Sequence, residues 1–335
     1  MSRLRRATQK ELDEAVTALR NGELVAFPTE TVYGLGANAR DPAALRRIFE
    51  AKGRPVSHPL ILHLDSERFL PRWAMEIPES AYKLAEQFWP GPLTLILRSN
   101  ADVSELLTGG QDTIAIRVPS HPMAQQLLTA FGGGLAAPSA NRFGRLSPTR
   151  PEHVREELGD AVRLILDGGE STIGLESTIV SLVEAQPRLL RPGNVRLDQL
   201  REVLGDVQVG PVESSPRVPG SLASHYAPSI PVVIVPTFNL EPRIDALLTQ
   251  ARRAAVLAQR PPRKAQTNVT WINAGRRADV FAHDLYANLR SLDKSGAAEI
   301  LVEEVPEGPQ WEAVRDRLQR ASATGSNEPV GDDLT

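Results

Sequence analysis

The sequence predicts an α/β protein built in two units. Short apolar runs bounded by glycine and proline alternate with stretches of helical period along most of the chain. That alternation is the pattern of strands interleaved with helices. Between 205 and 231 the composition turns to Pro, Ser, Gly and Val with little periodicity, as in a linker between domains. The length of 335 residues fits two domains at about 100–200 residues each. The expected division is a first unit over 1–204, a linker over 205–231, a smaller α/β unit over 232–321 and a polar, disordered tail over 322–335.

Each element has a local cause. Thr8 with Glu11 forms a capping box, and Leu12, Ala15, Val16 and Leu19 make the apolar stripe of the helix it opens, stopped by Gly22. Leu24–Phe27 is a compact apolar run suited to a buried strand. Asp41 and Pro42 supply a cap and a first-turn proline for a helix carrying Leu45, Ile48 and Phe49 and ending near Gly53. Strands are expected at Leu60–Leu64, Leu93–Leu97 and Thr113–Pro119, with a helix over Ser80–Trp89 between the first two, ended by Pro90-Gly91-Pro92. A helix over Pro122–Phe131 precedes three glycines and a short strand at Leu135. Strands at Leu164, Ser177–Leu182 and Arg188–Arg191, then a helix over Leu197–Leu204, complete the first unit. In the second, strands at Val232–Val235, Ala254–Leu257, Val269–Ile272 and Ile300–Val302 alternate with helices over Ile244–Ala251, Leu285–Lys294 and Trp311–Ala321. This order predicts a parallel sheet.

The chemistry gathers after the first strand. Pro28-Thr29-Glu30-Thr31-Val32-Tyr33-Gly34-Leu35-Gly36 reads as a polar loop where ligands of α/β sheets commonly bind. Lys52 and Arg54 add two cations, a set suited to a polar anionic ligand. The bland alternatives are a hydroxyl-capped turn and a solvated helix end. His63 lies among leucines, where a half-buried core residue is the commoner outcome, and no second ligand at metal spacing accompanies it. Arg117 within a buried strand needs either an anionic ligand or a neighbouring acid. Small and hydroxylic residues from Ala137 to Thr149 would let backbone amides approach phosphate. No Walker or dinucleotide fingerprint appears, so any nucleotide site is of another kind. Within the linker, His225 and Tyr226 exceed what a flexible tether needs.

Composition narrows the classes. The formal net charge is −3, so no global basic field recruits nucleic acid. There is no cysteine, which excludes disulfides, thiolate catalysis and cysteine zinc sites. The N-terminal Arg3, Arg5 and Arg6 lack a following apolar run, and no stretch approaches a membrane span. A cytoplasmic location is expected.

Taken in order, the motifs Pro28-Thr29-Glu30-Thr31-x-Tyr33-Gly34-Leu35, Lys52-x-Arg54-Pro55, Ala137-Pro138-Ser139-Ala140-Asn141 and Ser147-Pro148-Thr149 resemble the threonylcarbamoyl-AMP synthase family in its long form. Pro219-Gly220, His225-Tyr226-Ala227-Pro228 and Asp316-Arg317-Leu318-x-Arg320-Ala321 match the long form's linker and ending. The resemblance implies an N-terminal YrdC-like twisted α/β domain with a central cavity and a smaller C-terminal Rossmann-like α/β domain. It implies condensation of L-threonine, bicarbonate and ATP to threonylcarbamoyl-adenylate and pyrophosphate, an adenylyltransferase reaction serving transfer-RNA modification. Magnesium is expected with ATP. Implied partners are the downstream transfer-RNA threonylcarbamoyltransferase proteins and, as a candidate, RNA itself; no membrane partner is implied. On the same basis Lys52 and Arg54 would hold the triphosphate and act in catalysis. Thr31, His63, Arg117 and Ser177 would hold threonine. His58, Thr113, Ala137, Ser139, Asn141, Ser147 and Arg191 would contact ATP, with His225 and Tyr226 closing over it as a lid. No metal ligand is implied.

The chain departs from the family pattern at His58, Phe143 and Ser221, which bears on His58 as a phosphate contact and on lid packing. Two rival functions remain to be weighed. A carbamoyl-adenylate-forming carbamoyltransferase usually carries zinc fingers, which need cysteine. A double-stranded-RNA-binding module without catalysis sits poorly with the net charge and the lack of a basic stripe.

Overall fold

A computed structural model of the chain describes residues 7–220, 222 and 225–323. Arg3, Arg5, Arg6 and Ser221 lie outside the described residues, as does the tail from 324. Ser322 belongs to the last helix, Glu312–Ser322, so the tail starts later than expected.

The first unit is a mixed sheet of eleven strands among the described residues, wrapped by helices. Its centre runs Thr178–Ser181, Leu93–Ser99, Thr113–Arg117, Ile61–His63, Leu135–Ala136, Gly34–Asn38 and Val25–Phe27, each hydrogen-bonded to the next. Val25–Phe27 is fully buried, as its apolar run requires. It pairs antiparallel with Gly34–Asn38, so the expected polar loop is a tight turn that re-enters the sheet at Gly34. The glycines misled because they serve packing here: a Cβ on Gly36 would lie 2.9 Å from the Phe27 ring, and one on Gly34 would lie 3.2 Å from the Ala137 Cβ. The Thr8–Glu11 capping box and the Asp41 cap with Pro42 form as expected. The helix Pro151–Leu158 was not anticipated; its proline sits in the first turn, directly after the small-residue loop.

The second unit is a four-stranded sheet with strand order Val232–Val235, Glu299–Glu303, Ala254–Ala258, Val269–Asn273. All three pairings are parallel, as the alternation predicts. The helix expected from Leu285 begins earlier, at Ala278, because Asp279, His283 and Asp284 interrupt its apolar pattern without breaking it.

The segment over 205–231 is more than a tether. Gln208–Val209 adds a strand beside Arg188–Arg191. Val32, Leu146, Leu175 and Tyr226 share one buried apolar cluster with Phe281, Leu285, Tyr286 and Trp311 of the second unit. Burying a large apolar side chain contributes about 1.5–3 kcal/mol, so the two units are docked through a common core. No helix among the described residues is long and apolar enough to cross a membrane.

Candidate active site

The Thr29–Tyr33 turn is a hydroxyl-capped turn as the bland alternative held, and it also faces a cavity. Thr29 Oγ1 accepts from the Thr31 and Val32 amides at 3.2 Å each and donates to the Val32 carbonyl at 2.6 Å. Thr31 Oγ1 lies 2.8 Å from Thr29 Oγ1 and accepts from Arg117 Nη1 at 2.8 Å. The parallel pairing of Ile61–His63 with Thr113–Arg117 sets His63 beside Arg117.

Of the two alternatives for Arg117, the structure shows the neighbouring acid, Glu30. Arg117 Nη2 pairs with Glu30 Oε1 at 2.6 Å and its Nε donates to the Gly91 carbonyl at 3.2 Å. Glu30 Oε2 accepts from the Ser120 amide at 3.0 Å. These contacts fix the guanidinium plane and use three of its five N–H groups, leaving two for a ligand. His63 lines the same cavity. Burial, then the charge of Arg117, pushes its pKa down to about 3, so it is neutral at pH 7.

The cationic wall begins at a helix end. Pro42–Lys52 stops at Gly53, and both flanking cations turn inward: Lys52 is 3% exposed and Arg54 7%. Lys52 Nζ donates to the Ser139 and Asn141 carbonyls at 2.6 and 2.5 Å. Burial and the neighbouring Arg54 hold its pKa well below the ordinary lysine value. Arg54 Nη2 donates to the Pro59 carbonyl at 2.8 Å, while its buried Nε has no protein partner. Burial lowers its pKa to about 10, so Arg54 remains a cation at pH 7. Across the cavity Arg191 binds the Ser177 carbonyl through Nε and Nη2 at 3.1 and 2.9 Å, and Ser177 Oγ at 3.1 Å. Its Nη1 donates to the Pro219 carbonyl at 2.8 Å, which ties the interdomain segment to the wall.

That segment fills the cavity. Gly220 has φ +77°, and a Cβ there would lie 2.0 Å from the Tyr226 hydroxyl. Tyr226 is 1% exposed with φ +59°, a conformation uncommon for a bulky side chain. Its ring stacks on Tyr286 at 5.8 Å and lies 4.1 Å from the His225 ring. Burial pushes His225 down to about 3, with the cations of Arg54, Lys52 and Arg191 adding to it against the opposing carboxylate of Glu176. The departures His58 and Phe143 pack edge to face at 5.2 Å, and Phe143 packs on His225 at 5.8 Å. They form one aromatic latch over the segment. The cavity and its mouth together hold about 520 Å³ of space between protein atoms. Pro219, Gly220, His225 and Tyr226 narrow the cavity from the side of the interdomain segment.

Thr31, Arg54, His63, Arg117, Ala137, Ser139, Ser177, Arg191, His225 and Tyr226 therefore line one cavity. Five expected residues stand behind or beside that lining. Lys52 braces the Ser139–Asn141 backbone. Asn141 Nδ2 holds the Arg142 and Arg145 carbonyls at 2.8 Å each. Ser147 Oγ donates to Glu176 Oε1 at 2.5 Å. Thr113 is buried in its strand opposite Arg98, and His58 sits at the latch. Sequence reasoning assigned no role to Glu176, which lines the cavity. Nor did it assign one to Tyr286 or Arg317, which reach Glu176 from the second unit. Glu176 could have been suspected as an acid embedded between apolar residues and two hydroxyls.

The mixed sheet, the enclosed cation-lined cavity and the docked parallel sheet define a YrdC-type domain joined to a C-terminal partner domain. The family model described as "Telomere recombination", for Sua5, YciO and YrdC, matches residues 17–193. The model for the C-terminal domain of threonylcarbamoyl-AMP synthase matches residues 195–323. The chain belongs to the threonylcarbamoyl-AMP synthase family, in its two-domain form. It is 41% identical over 315 residues to threonylcarbamoyl-AMP synthase of Pyrococcus abyssi, covering 91% of this chain and 92% of that protein. It is 39% identical over 323 residues to the Bacillus subtilis synthase, covering 93% of each. The crystal structure of P. abyssi Sua5 complexed with L-threonine superposes with a TM-score of 0.89 at 40% identity, covering 95% of this chain and 96% of that one.

Proposed function

We propose that this chain condenses L-threonine, bicarbonate and ATP to threonylcarbamoyl-AMP and pyrophosphate. The observation that carries the reading is a single cavity lined by three buried arginines, Arg54, Arg117 and Arg191, together with the hydroxyls of Thr31 and Ser177. Such a set accepts a carboxylate and several phosphates at once. Family membership supports the same reaction.

In this reading the two uncommitted N–H groups of Arg117 take the threonine carboxylate, with Thr31, neutral His63 and Ser177 around it. The threonine amine, as the free base, forms an N–C bond to the bicarbonate carbon while a C–O bond breaks and water leaves, which gives the carbamate. A carbamate oxygen attacks the α-phosphorus, forms the new P–O bond and expels pyrophosphate, so the chain acts as an adenylyltransferase. No side chain forms a covalent bond. Arg54 and Arg191 stabilise the charge that develops on the leaving group, and Lys52 holds the backbone of the nucleotide loop formed by Ala137, Ser139, Asn141 and Ser147. His58 and Thr113 contribute at the edge of the nucleotide site. His225 and Tyr226 withdraw to admit ATP and close over it, keeping water from a labile carbamate and a mixed anhydride.

Among the described residues that line the cavity the one carboxylate, Glu176, is committed to Arg317, Tyr286 and Ser147. Magnesium therefore belongs to this reading as part of the Mg–ATP substrate, on the phosphates. Residues 1–204 act as the catalytic domain, 205–231 as linker and lid, and 232–321 as the C-terminal domain, in the cytoplasm. The product passes to transfer-RNA threonylcarbamoyltransferase proteins, with direct RNA contact a point for test.

Pyrophosphate release from ATP tests the reading. It should require both L-threonine and bicarbonate. Release that needs neither would make the protein a pyrophosphohydrolase, and no release with tight RNA binding would make it a binding module.

A further inference from the structure

Glu176 is the one acid among the residues that line the cavity. A bare carboxylate there would oppose every anion the site is built to hold. It is not bare. Arg317 Nε donates to Glu176 Oε2 at 2.8 Å, and the Tyr286 hydroxyl reaches both carboxylate oxygens at 3.1 and 2.9 Å. Ser147 Oγ supplies the fourth contact, at 2.5 Å. Arg317 is fully buried and does not line the cavity. It comes from the final helix, Glu312–Ser322, of the second unit. Its remaining nitrogens bind the Pro192 carbonyl at 3.1 Å and the Asp316 carboxylate, and Asp316 in turn pairs with Arg320 at 3.0 Å. Two acids and two arginines thus form a balanced cluster, three of them on one C-terminal helix.

We propose that Arg317 is a positioning residue for the adenylation site: supplied by the C-terminal domain, it neutralises Glu176 so that this carboxylate does not offset the charge that Arg54 and Arg191 present to ATP. Two features of the geometry set this apart from simple domain docking. The ion pair ends on a cavity-lining side chain, and the same guanidinium lies over the ring of Tyr226 at 5.2 Å. The cation that quiets Glu176 therefore also steadies the residue that leaves when the site opens. The C-terminal domain then acts on the charge of a site whose described lining comes from the first unit and the interdomain segment.

The inference rests on the ATP reading of the cavity, and wild-type pyrophosphate release, measured first, tests that reading separately. The variants are then compared in the full-length chain by steady-state kinetics. Arg317→Met should raise the KM for ATP at least about tenfold, since Glu176 then loses its one direct ion pair and its charge draws on Arg191, a cation the triphosphate needs. Adding Glu176→Gln in the same chain should restore the KM for ATP to within about threefold of wild type, because the charge is gone. A packing role alone predicts no rescue, since the double variant has lost both partners. Arg317→Lys, which keeps the charge, should stay within about threefold of wild type. An Arg317→Met defect that Glu176→Gln does not relieve would overturn the inference. So would an unchanged KM in Arg317→Met. Should Arg317→Met fail to fold, Arg317→Lys and the double variant decide the matter, and a tenfold loss of ATP affinity in either refutes it.

Discussion

Replacing Gly220 by alanine should drive the interdomain segment out of the cavity. Two costs act together. At φ +77° an L-residue carries about 1–2 kcal/mol of backbone strain. The added Cβ would also stand 2.0 Å from the Tyr226 hydroxyl, so the phenol must retreat by about 1.4 Å to reach ordinary contact. It has little room to do so. Its ring lies between Tyr286 and Arg317, and it is 1% exposed. A combined cost of ~2 kcal/mol lowers the closed-to-open ratio by about thirtyfold. Because the closed segment occupies the space ATP needs, apparent ATP affinity should improve by up to that factor. Turnover should fall, because the same segment no longer closes over bound nucleotide. Calorimetric titration with Mg–ATP and hydrogen exchange of the Gly220, His225 and Tyr226 amides read the two effects. Gly205→Ala is the control, since Gly205 has φ +78° with nothing within 4 Å of a Cβ. It carries the strain without the clash. Equal ATP affinity and equal exchange in the two variants would refute the reasoning.

Three further outcomes are expected. Lys52→Met should abolish pyrophosphate release while the protein stays folded: two carbonyl contacts are lost but a desolvated charge is removed, leaving a net stability change within about 2 kcal/mol by urea titration. Retained release would show that the Ser139–Asn141 backbone holds the nucleotide without the Lys52 brace. Arg117→Lys should raise the KM for threonine about tenfold and leave that for ATP nearly unchanged, since a lysine cannot hold Glu30, Thr31 and a carboxylate in one plane; a selective effect on ATP would exchange the two subsites. Acid should open the segment. The closed form holds His225 near pKa 3 and the open form near the ordinary 6.5, so closure is fully favourable above about 6.5 and weakens as pH falls towards 3. Hydrogen exchange of the Gly220, His225 and Tyr226 amides, corrected for its intrinsic pH dependence, should quicken from pH 7.5 to 5.5 in wild type and not in His225→Phe. Equal pH responses would remove His225 from the switch.

Periodicity and capping exposed most of the fold, because helix ends and buried strands are local statements. The Thr8 cap, the Asp41-Pro42 start and the all-parallel C-terminal sheet follow from residues a few positions apart. Gly34 and Gly36 show where local reading fails. Their composition signals a loop, but the Phe27 ring and Ala137 pack against their backbones, and that contact is made by tertiary structure. The site divides the same way. Thr31 and Arg117 were legible as polar groups placed beside or within apolar strands, and Arg54 as a cation at a helix end. Arg117 could be read only as needing an acid or a ligand, and Glu30, 87 positions away in sequence, is that acid. Glu176 was silent because its meaning depends on Arg317, 141 positions further along. The 205–231 composition suggested a flexible linker, yet Arg191 pins it at Pro219 and Tyr226 fills a core between two domains.

The central claim is that one cavity joins carbon from bicarbonate, nitrogen from threonine and AMP from ATP without a covalent enzyme intermediate. Incubation with ¹³C-bicarbonate, L-threonine and Mg–ATP, followed by rapid quench and mass spectrometry of the nucleotide fraction, tests it most directly. The account predicts a threonylcarbamoyl-adenylate one mass unit heavier than the unlabelled product, formed in equal amount with pyrophosphate. An adenylate that carries threonine but no label, or AMP attached to the protein, would contradict it.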